Sequence, residues 1–168
     1  MTKIILDFAK PNDIDDIMTV ETPCFTAAEA SSRASMIQRI ELISDTFIVA
    51  RDLDQNGRVV GMIVGPTSSN HYITDDLFVH SEKNKSTDKV QTIITLAVLA
   101  DYRKHGIAQK LLEKMAEIDR ENGREIISLT CLESLIPYYE KHGFVNEGRS
   151  ESKLAGETWY NMIFDLKK

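Results

Sequence analysis

The chain has 168 residues, of which 42% are hydrophobic and 27% charged, with a formal net charge of −6. This length suits one domain with a sizeable core, the balance excludes a disordered chain, and no apolar run approaches the roughly 20 residues that span a bilayer. The negative charge argues against nucleic acid as a main partner, because a phosphate backbone wants a basic face, and it is compatible with cationic substrates such as amines.

Lys3 to Phe8 read as a first strand. Pro11-Asn12-Asp13 break it and start a helix in which Ile14, Ile17 and Met18 recur at helical spacing, with acids in the first turn where the dipole favours them. Thr22-Pro23 are expected to end that helix. A second helix, over about 27–43, places Met36, Ile37, Ile40 and Ile43 on one face. Thr46–Leu53 and Arg58–Gly65 read as a hairpin joined by Asp54-Gln55-Asn56-Gly57, since Asn-Gly tolerates positive φ at both positions. Residues 66–88 are polar around Ile73, Leu77, Phe78 and Val79, and read as a long loop with room for one short helix. Loops of this length in compact domains usually contribute to function.

Val90–Leu99 is an apolar, β-branched run that predicts a central buried strand. A helix over about 105–122 follows, with Ile107, Ala108, Leu111, Leu112, Met115 and Ile118 as its apolar stripe and Asn122-Gly123 as its stop. Glu125–Cys131 is a strand, Leu135–His142 a short helix, Gly143-Phe144 open a strand to about 149, and Thr158–Leu166 is the last strand, with an edge that a second copy could pair with. The order β-α-α-β-β-β-α-β-α-β-β, without repeat or linker, predicts one α/β domain over residues 1–168 with a mixed sheet.

The first residues, Met1 to Asp7, hold too short an apolar stretch for a secretion signal, and an acid interrupts it. The cytoplasm is therefore the expected compartment, with Cys24 and Cys131 reduced. His71, His80, His105 and His142 show no metal-ligand spacing and there is no Cys-x-x-Cys, so no metal is expected.

The strongest chemical signal is the buried strand that runs directly into Tyr102-Arg103-Lys104-His105-Gly106-Ile107-Ala108 and then a helix. A helix N-terminus presents unpaired N–H groups and partial positive charge, which suits an anion such as a pyrophosphate. Gly106 removes a Cβ where a phosphate would approach the backbone, Ala108 keeps the first turn small, and Arg103 and Lys104 add charge. These features point to a phosphate-containing ligand, with an ordinary strand–helix junction as the competing reading. The Gly-x-Gly-x-x-Gly and P-loop patterns are both absent.

Leu96-Ala97-Val98 followed by Arg103-x-x-Gly106-x-Ala108 resembles the acetyl-CoA signature of the GNAT superfamily, Arg/Gln-x-x-Gly-x-Gly/Ala. The element order along nearly the whole chain also matches, and Tyr139-Glu140-Lys141-His142-Gly143-Phe144 is similar to the family's Tyr-x-x-x-Gly-Phe segment. Within the superfamily the closest resemblance is to the serotonin (arylalkylamine) N-acetyltransferase branch. It rests on Leu96-Ala97-Val98, on Cys131 through Leu135-Ile136-Pro137-Tyr138-Tyr139, and on Val60–Gly65 before a long loop.

The resemblance implies a mixed, mostly antiparallel central sheet flanked by about four helices, with a splayed central strand pair. It implies acetyl-CoA as acyl donor and direct transfer to a primary amine of a small molecule or peptide. Backbone groups of Leu96, Ala97 and Val98 would pair with the pantetheine amides. The loop of Arg103, Lys104, His105, Gly106, Ile107 and Ala108 would hold the pyrophosphate. Tyr139 aligns with the tyrosine that protonates the departing thiolate.

The chain departs from its nearest branch at Thr92 and Ile94, which stand where that branch has histidines, so aromatic-amine acetylation by that mechanism is in doubt. Glu21, Glu29 and Glu133 are candidate bases by rough location, each with a solvated or capping role as its competing reading, and none is assigned. Trp159 and Tyr160 are core or groove residues that could border the acceptor site, Asp75-Asp76 a solvated pair that could attract an amine, and Cys131 a small buried hydrophobe. The acceptor groove is expected between residues 22–35 and 66–88. The alternative function is a non-catalytic module of the same fold that binds acyl-CoA or a partner protein. Monomer and homodimer remain open.

Overall fold

The computed structural model describes residues 3–26 and 30–167. At its centre lies the expected hairpin, Phe47–Asp52 (β2) and Arg58–Val64 (β3), whose turn holds Asn56 at φ 59° and Gly57 at φ 77°. Both strands are buried on both sides, which explains their nearly continuous apolar sequence. Phe47, Val49, Met62 and Val64 pack with the residues of Ile14–Cys24 (α1) and Arg33–Leu42 (α2). Ile48, Ala50, Val60 and Ile63 pack with Ile107, Leu111, Leu112 and Met115 of Ile107–Glu121 (α3).

The strands form two sheets. Ile4–Phe8 (β1), β2, β3 and Thr95–Val98 (β6) make one, in that order; Thr67–Ser68 (β4), Val90–Ile93 (β5), Ile126–Cys131 (β7), Tyr160–Asp165 (β9) and Val145–Arg149 (β8) make the other. Strands β5 and β7 run parallel, and the remaining pairs are antiparallel. The last strand is therefore not an edge: β9 is paired on both sides, and β8 is the edge beyond it.

The strand expected over 90–99 is two strands, broken at Ile94. Ile94 N donates to Val64 O at 2.9 Å while Thr95 is the register partner of the same Val64, so two residues oppose one, as in a β-bulge. Pairing with β7 ends at Ile93 opposite Leu129, and beyond that point the two sheets part. Gly65 permits the crossing, because a Cβ there would lie 1.9 Å from Thr92 O.

Helix α2 begins at Arg33 rather than near 27, because Ser32 caps it, its Oγ accepting from Ser35 N at 3.1 Å. Residues 27–29 of the expected helix lie outside the described residues. Helix α1 continues to Cys24 past Pro23, which sits in the last turn.

The long 66–88 segment contains β4 and one short 3-10 turn, Asp75–Phe78. It is tied down at several points. Arg39 donates to Phe78 O at 2.9 Å and Ser81 N to Gln38 Oε1 at 3.1 Å, which joins the segment to α2. Lys153 N donates to Asp75 at 3.0 Å and Tyr72 OH to Glu147 at 2.8 Å, which joins it to the β8–β9 side. A last helix, Ile136–Lys141 (α4), carries the two adjacent tyrosines.

Candidate functional site

The break at Ile94 creates the site. Ala97 is opposite Met62 on the β3–β6 ladder, and Leu99 N donates to Val60 O at 2.9 Å. On an antiparallel ladder the alternate residues, Leu96 and Val98, then turn their N–H and C=O groups the other way, into the gap that β7 has left. Val98 O is met there by Arg103 Nε at 3.0 Å and by the Cys24 thiol at 3.4 Å. Among the described residues β6 pairs with β3 alone, so Leu96 and the Val98 N–H keep a free edge that an extended chain of amides can pair with, as a strand would.

The loop after β6 turns through two left-handed residues, Lys104 at φ 68° and Gly106 at φ 75°, and Gly106 is the N-cap of α3 without any side-chain cap. The first N–H groups of the helix are thus open to an anion. A Cβ at Gly106 would meet nothing within 4 Å, so its positive φ, not crowding by the chain, favours glycine. Tyr102 anchors the loop by donating to Asp52 at 2.5 Å. Arg103 reaches back to Val98 O and, at 3.3 Å, to the Cys24 sulfur.

These parts surround a groove of about 650 Å³, walled by Leu96, Ala97, Val98, Arg103, Lys104, Gly106, Ile107 and Ala108, with Tyr139 on its rim. His105 is exposed in the loop and is not on the wall. Sequence reasoning had Cys24 and Phe25 only as part of the 22–35 side of an acceptor groove, and missed Lys141 and His142 after the tyrosines; all four border the groove. No local pattern marks Phe25, which arrives from about 70 residues away.

Tyr139 is 8% exposed and packs edge-on against Tyr138 and Phe144, with ring centroids at 5.2 Å and 5.5 Å. Burial, with Cys131 and Tyr138 nearby, pushes its phenol well above the usual value, so it stays protonated as a hydrogen-bond donor. Burial likewise pushes the Cys131 thiol up to about 11, which suits the small buried hydrophobe expected there.

A second, inner cavity of about 110 Å³ meets the groove at Phe25, Leu96, Leu135 and Tyr139. Its remaining wall includes Phe78, Ile94, Thr95, Leu154 and Trp159, and among the described residues no formally charged side chain borders it. Phe25 and Phe78 come from the segments expected to form the acceptor groove. Trp159 lies on this wall and donates its indole N–H to Leu154 O at 2.8 Å, whereas Tyr160 pairs within the sheet. Asp75 and Asp76 are off the wall, engaged with Ser152 and Thr74 respectively. Thr92 is buried and donates to Pro66 O at 2.6 Å, and Ile94 presents only hydrocarbon.

The three candidate glutamates part company. Glu133 is exposed in the turn before α4, and Glu29 lies outside the described residues. Glu21 is neither solvated nor a cap: it is 1% exposed, it faces Arg39, and its Oε1 has no hydrogen-bond partner among the described residues. Burial lifts its pKa to about 7 against the pull of that guanidinium.

The model of the Acetyltransferase (GNAT) family matches residues 14–144. No curated protein matches the sequence. Among solved structures, the chain is similar to the loading GNATL domain of CurA from Lyngbya majuscula, at 16% identity and TM-score 0.81 over 98% of both chains. It is similar to the ribosomal-protein-S18-alanine N-acetyltransferase from Escherichia coli, at 14% identity and TM-score 0.71 over 98% of this chain and 94% of that one. A third is yncA, a putative acetyltransferase from Salmonella typhimurium with its cofactor acetyl-CoA, at 14% identity and TM-score 0.69 over 99% of this chain and 95% of that one. At these identities the likeness is one of fold.

Proposed function

The chain belongs to the GNAT acetyltransferase family, and on that footing we propose that it is an acetyl-CoA-dependent N-acetyltransferase acting on a primary amine of a small molecule or peptide. One observation carries this reading: the free backbone edge at Leu96 and Val98 opens onto the same groove as the Gly106 loop and Tyr139. The acyl-CoA supplies an activated acyl group. In this reading Leu96, Ala97 and Val98 bind pantetheine through the backbone, and an N–H of this edge polarises the thioester carbonyl. The loop of Arg103, Lys104, His105, Gly106, Ile107 and Ala108 cradles the pyrophosphate, with Arg103 and Lys104 adding charge. Tyr139 gives its proton to the departing sulfur.

The inner cavity supports an acceptor with an apolar part. An ammonium entering an uncharged wall would lose hydration without compensation, so the amine is received beside an apolar substituent of few heavy atoms. Resemblance to the arylalkylamine branch supports an apolar amine, while Thr92 and Ile94 remove that branch's histidine mechanism. Calorimetry with acetyl-CoA is expected to give binding on the order of micromolar, within the usual range of enzyme substrates, and an amine panel is expected to release free thiol. Failure to bind any CoA thioester removes the reading. Binding without thiol release across the panel leaves the non-catalytic module instead.

A further inference from the structure

Arg39 on α2 is 1% exposed, and burying a guanidinium is costly even when a carboxylate faces it, as Glu21 does here. A well-packed apolar side chain of similar volume would hold the two helices together at least as well. What it could not do is bond two other segments at once. Arg39 Nη1 donates to Ser31 Oγ at 2.7 Å, in the connection between α1 and α2. Its Nη2 donates to Phe78 O at 2.9 Å, at the end of the short turn in the 66–88 segment. The two nitrogens share one rigid plane, so the fork fixes these segments relative to each other. They are the two segments expected to flank the acceptor.

Phe78 carries the consequence to the site. It is on the wall of the inner cavity and not on that of the larger groove. The turn that bears it is pinned at both ends. Asp75 accepts from Lys153 N at 3.0 Å and from Ser152 Oγ, while Phe78 O accepts from Arg39. Lys153 leads into Leu154, which lies on the same cavity wall and accepts from Trp159 Nε1 at 2.8 Å. The wall formed by Phe78, Leu154 and Trp159 is thus one connected piece, and Arg39 ties it to α2, with Gln38 holding Ser81 N beyond it at 3.1 Å.

We propose that Phe78 sets the size of the amine substituent that the inner cavity accepts, and that Arg39 positions it. The proposal rests on the acetyltransferase reading above and names the part of the wall that determines acceptor specificity. In a cavity of about 110 Å³ each methylene counts, so a small displacement of Phe78 changes which substituents enter. Phe78 touches the substituent, and Arg39 acts through it as a positioning residue.

The test measures thiol release from acetyl-CoA by the full chain with straight-chain primary amines from ethylamine to octylamine. In the wild type kcat/KM is expected to rise with length while the chain fits, then to fall by about tenfold at the first methylene in excess. F78A should move that fall to longer amines, with acetyl-CoA affinity in calorimetry unchanged. R39K keeps a positive charge beside Glu21 but replaces the fork with a single ammonium. It should raise KM for the best wild-type amine by about tenfold at unchanged kcat, because what is lost is binding of the substituent. It should also flatten the dependence on length and leave acetyl-CoA affinity unchanged. R39K combined with F78A should match F78A alone, since the two act on one contact. A fall at the same length in F78A and wild type overturns the proposal, as does a wild type whose kcat/KM is indifferent to length. R39K with the wild-type dependence overturns it too, and so does a loss of acetyl-CoA affinity in R39K, which marks a role in the fold as a whole. If R39K does not fold, R39M paired with E21Q removes the buried charges together and is read in the same way. A wild type that releases no thiol with any amine overturns the acetyltransferase reading itself, so the two failures are told apart.

Discussion

A phenol in a dry setting is a poor acid at rest but a reliable neutral donor, and the burial of Tyr139 gives it that property, on which its proposed role rests. Y139F keeps the ring contacts with Tyr138 and Phe144 and removes only the hydroxyl. Its turnover, followed by thiol release, should fall by about 100-fold, while acyl-CoA affinity in calorimetry stays unchanged. Unchanged turnover excludes the general-acid role. Asp119 on α3 gives a prediction for stability: it is 1% exposed, its Oδ2 has no hydrogen-bond partner among the described residues, and burial lifts its pKa to about 8 against the pull of Arg124. Between the unfolded value near 3.8 and about 8 the native state holds a proton that the unfolded chain has lost, so this group lowers stability as pH rises through that window. D119N should flatten the fall of Tm between pH 4 and 8 and raise Tm at pH 8; a wild-type slope retained in D119N would refute this. Tyr139 and Gly106 were legible in the sequence because they sit in a local pattern. Glu21 was legible as an acid on α1, but its burial opposite Arg39 was not, because α2 is a separate segment of the chain.

At the scale of elements, β6 gains its free edge from the crossing of β3 and β5 at Gly65. G65A would push a Cβ into Thr92 O, an overpacking that costs about 1–3 kcal/mol. That cost corresponds to a fall in Tm of roughly 2–4 °C per kcal/mol for a chain of this size. The same shift should close the edge at Leu96, so acyl-CoA affinity should fall together with Tm. A G65A protein with wild-type Tm would show that the strands separate freely. The apolar run over 90–99 announced a buried strand correctly, but nothing in it marked Ile94 as a break. Hydrocarbon side chains read alike whether their backbone pairs with one sheet or two, and the bulge is set by Val64 on a neighbouring strand.

Across the whole molecule, two sheets that meet where Gly65 crosses Thr92 and then part leave a cleft, and the ends of α1, the 66–88 segment and the β8–β9 connection converge on it. No helix among the described residues is long and apolar enough to cross a membrane. The sequence alone determined the four helices, the central hairpin with its Asn-Gly turn, the turn before α3 and the tyrosine on α4, because each depends on spacing or φ preference within a few residues; β4 and the division of 90–99 into two strands were not legible in it. Only the tertiary structure decided the start of the free edge at Leu96, the arrival of Phe25 and Trp159 at the inner cavity, and the enclosure of Glu21 with Arg39. Pairing register and desolvation are properties of segments brought together from distant parts of the chain, and no local pattern records them.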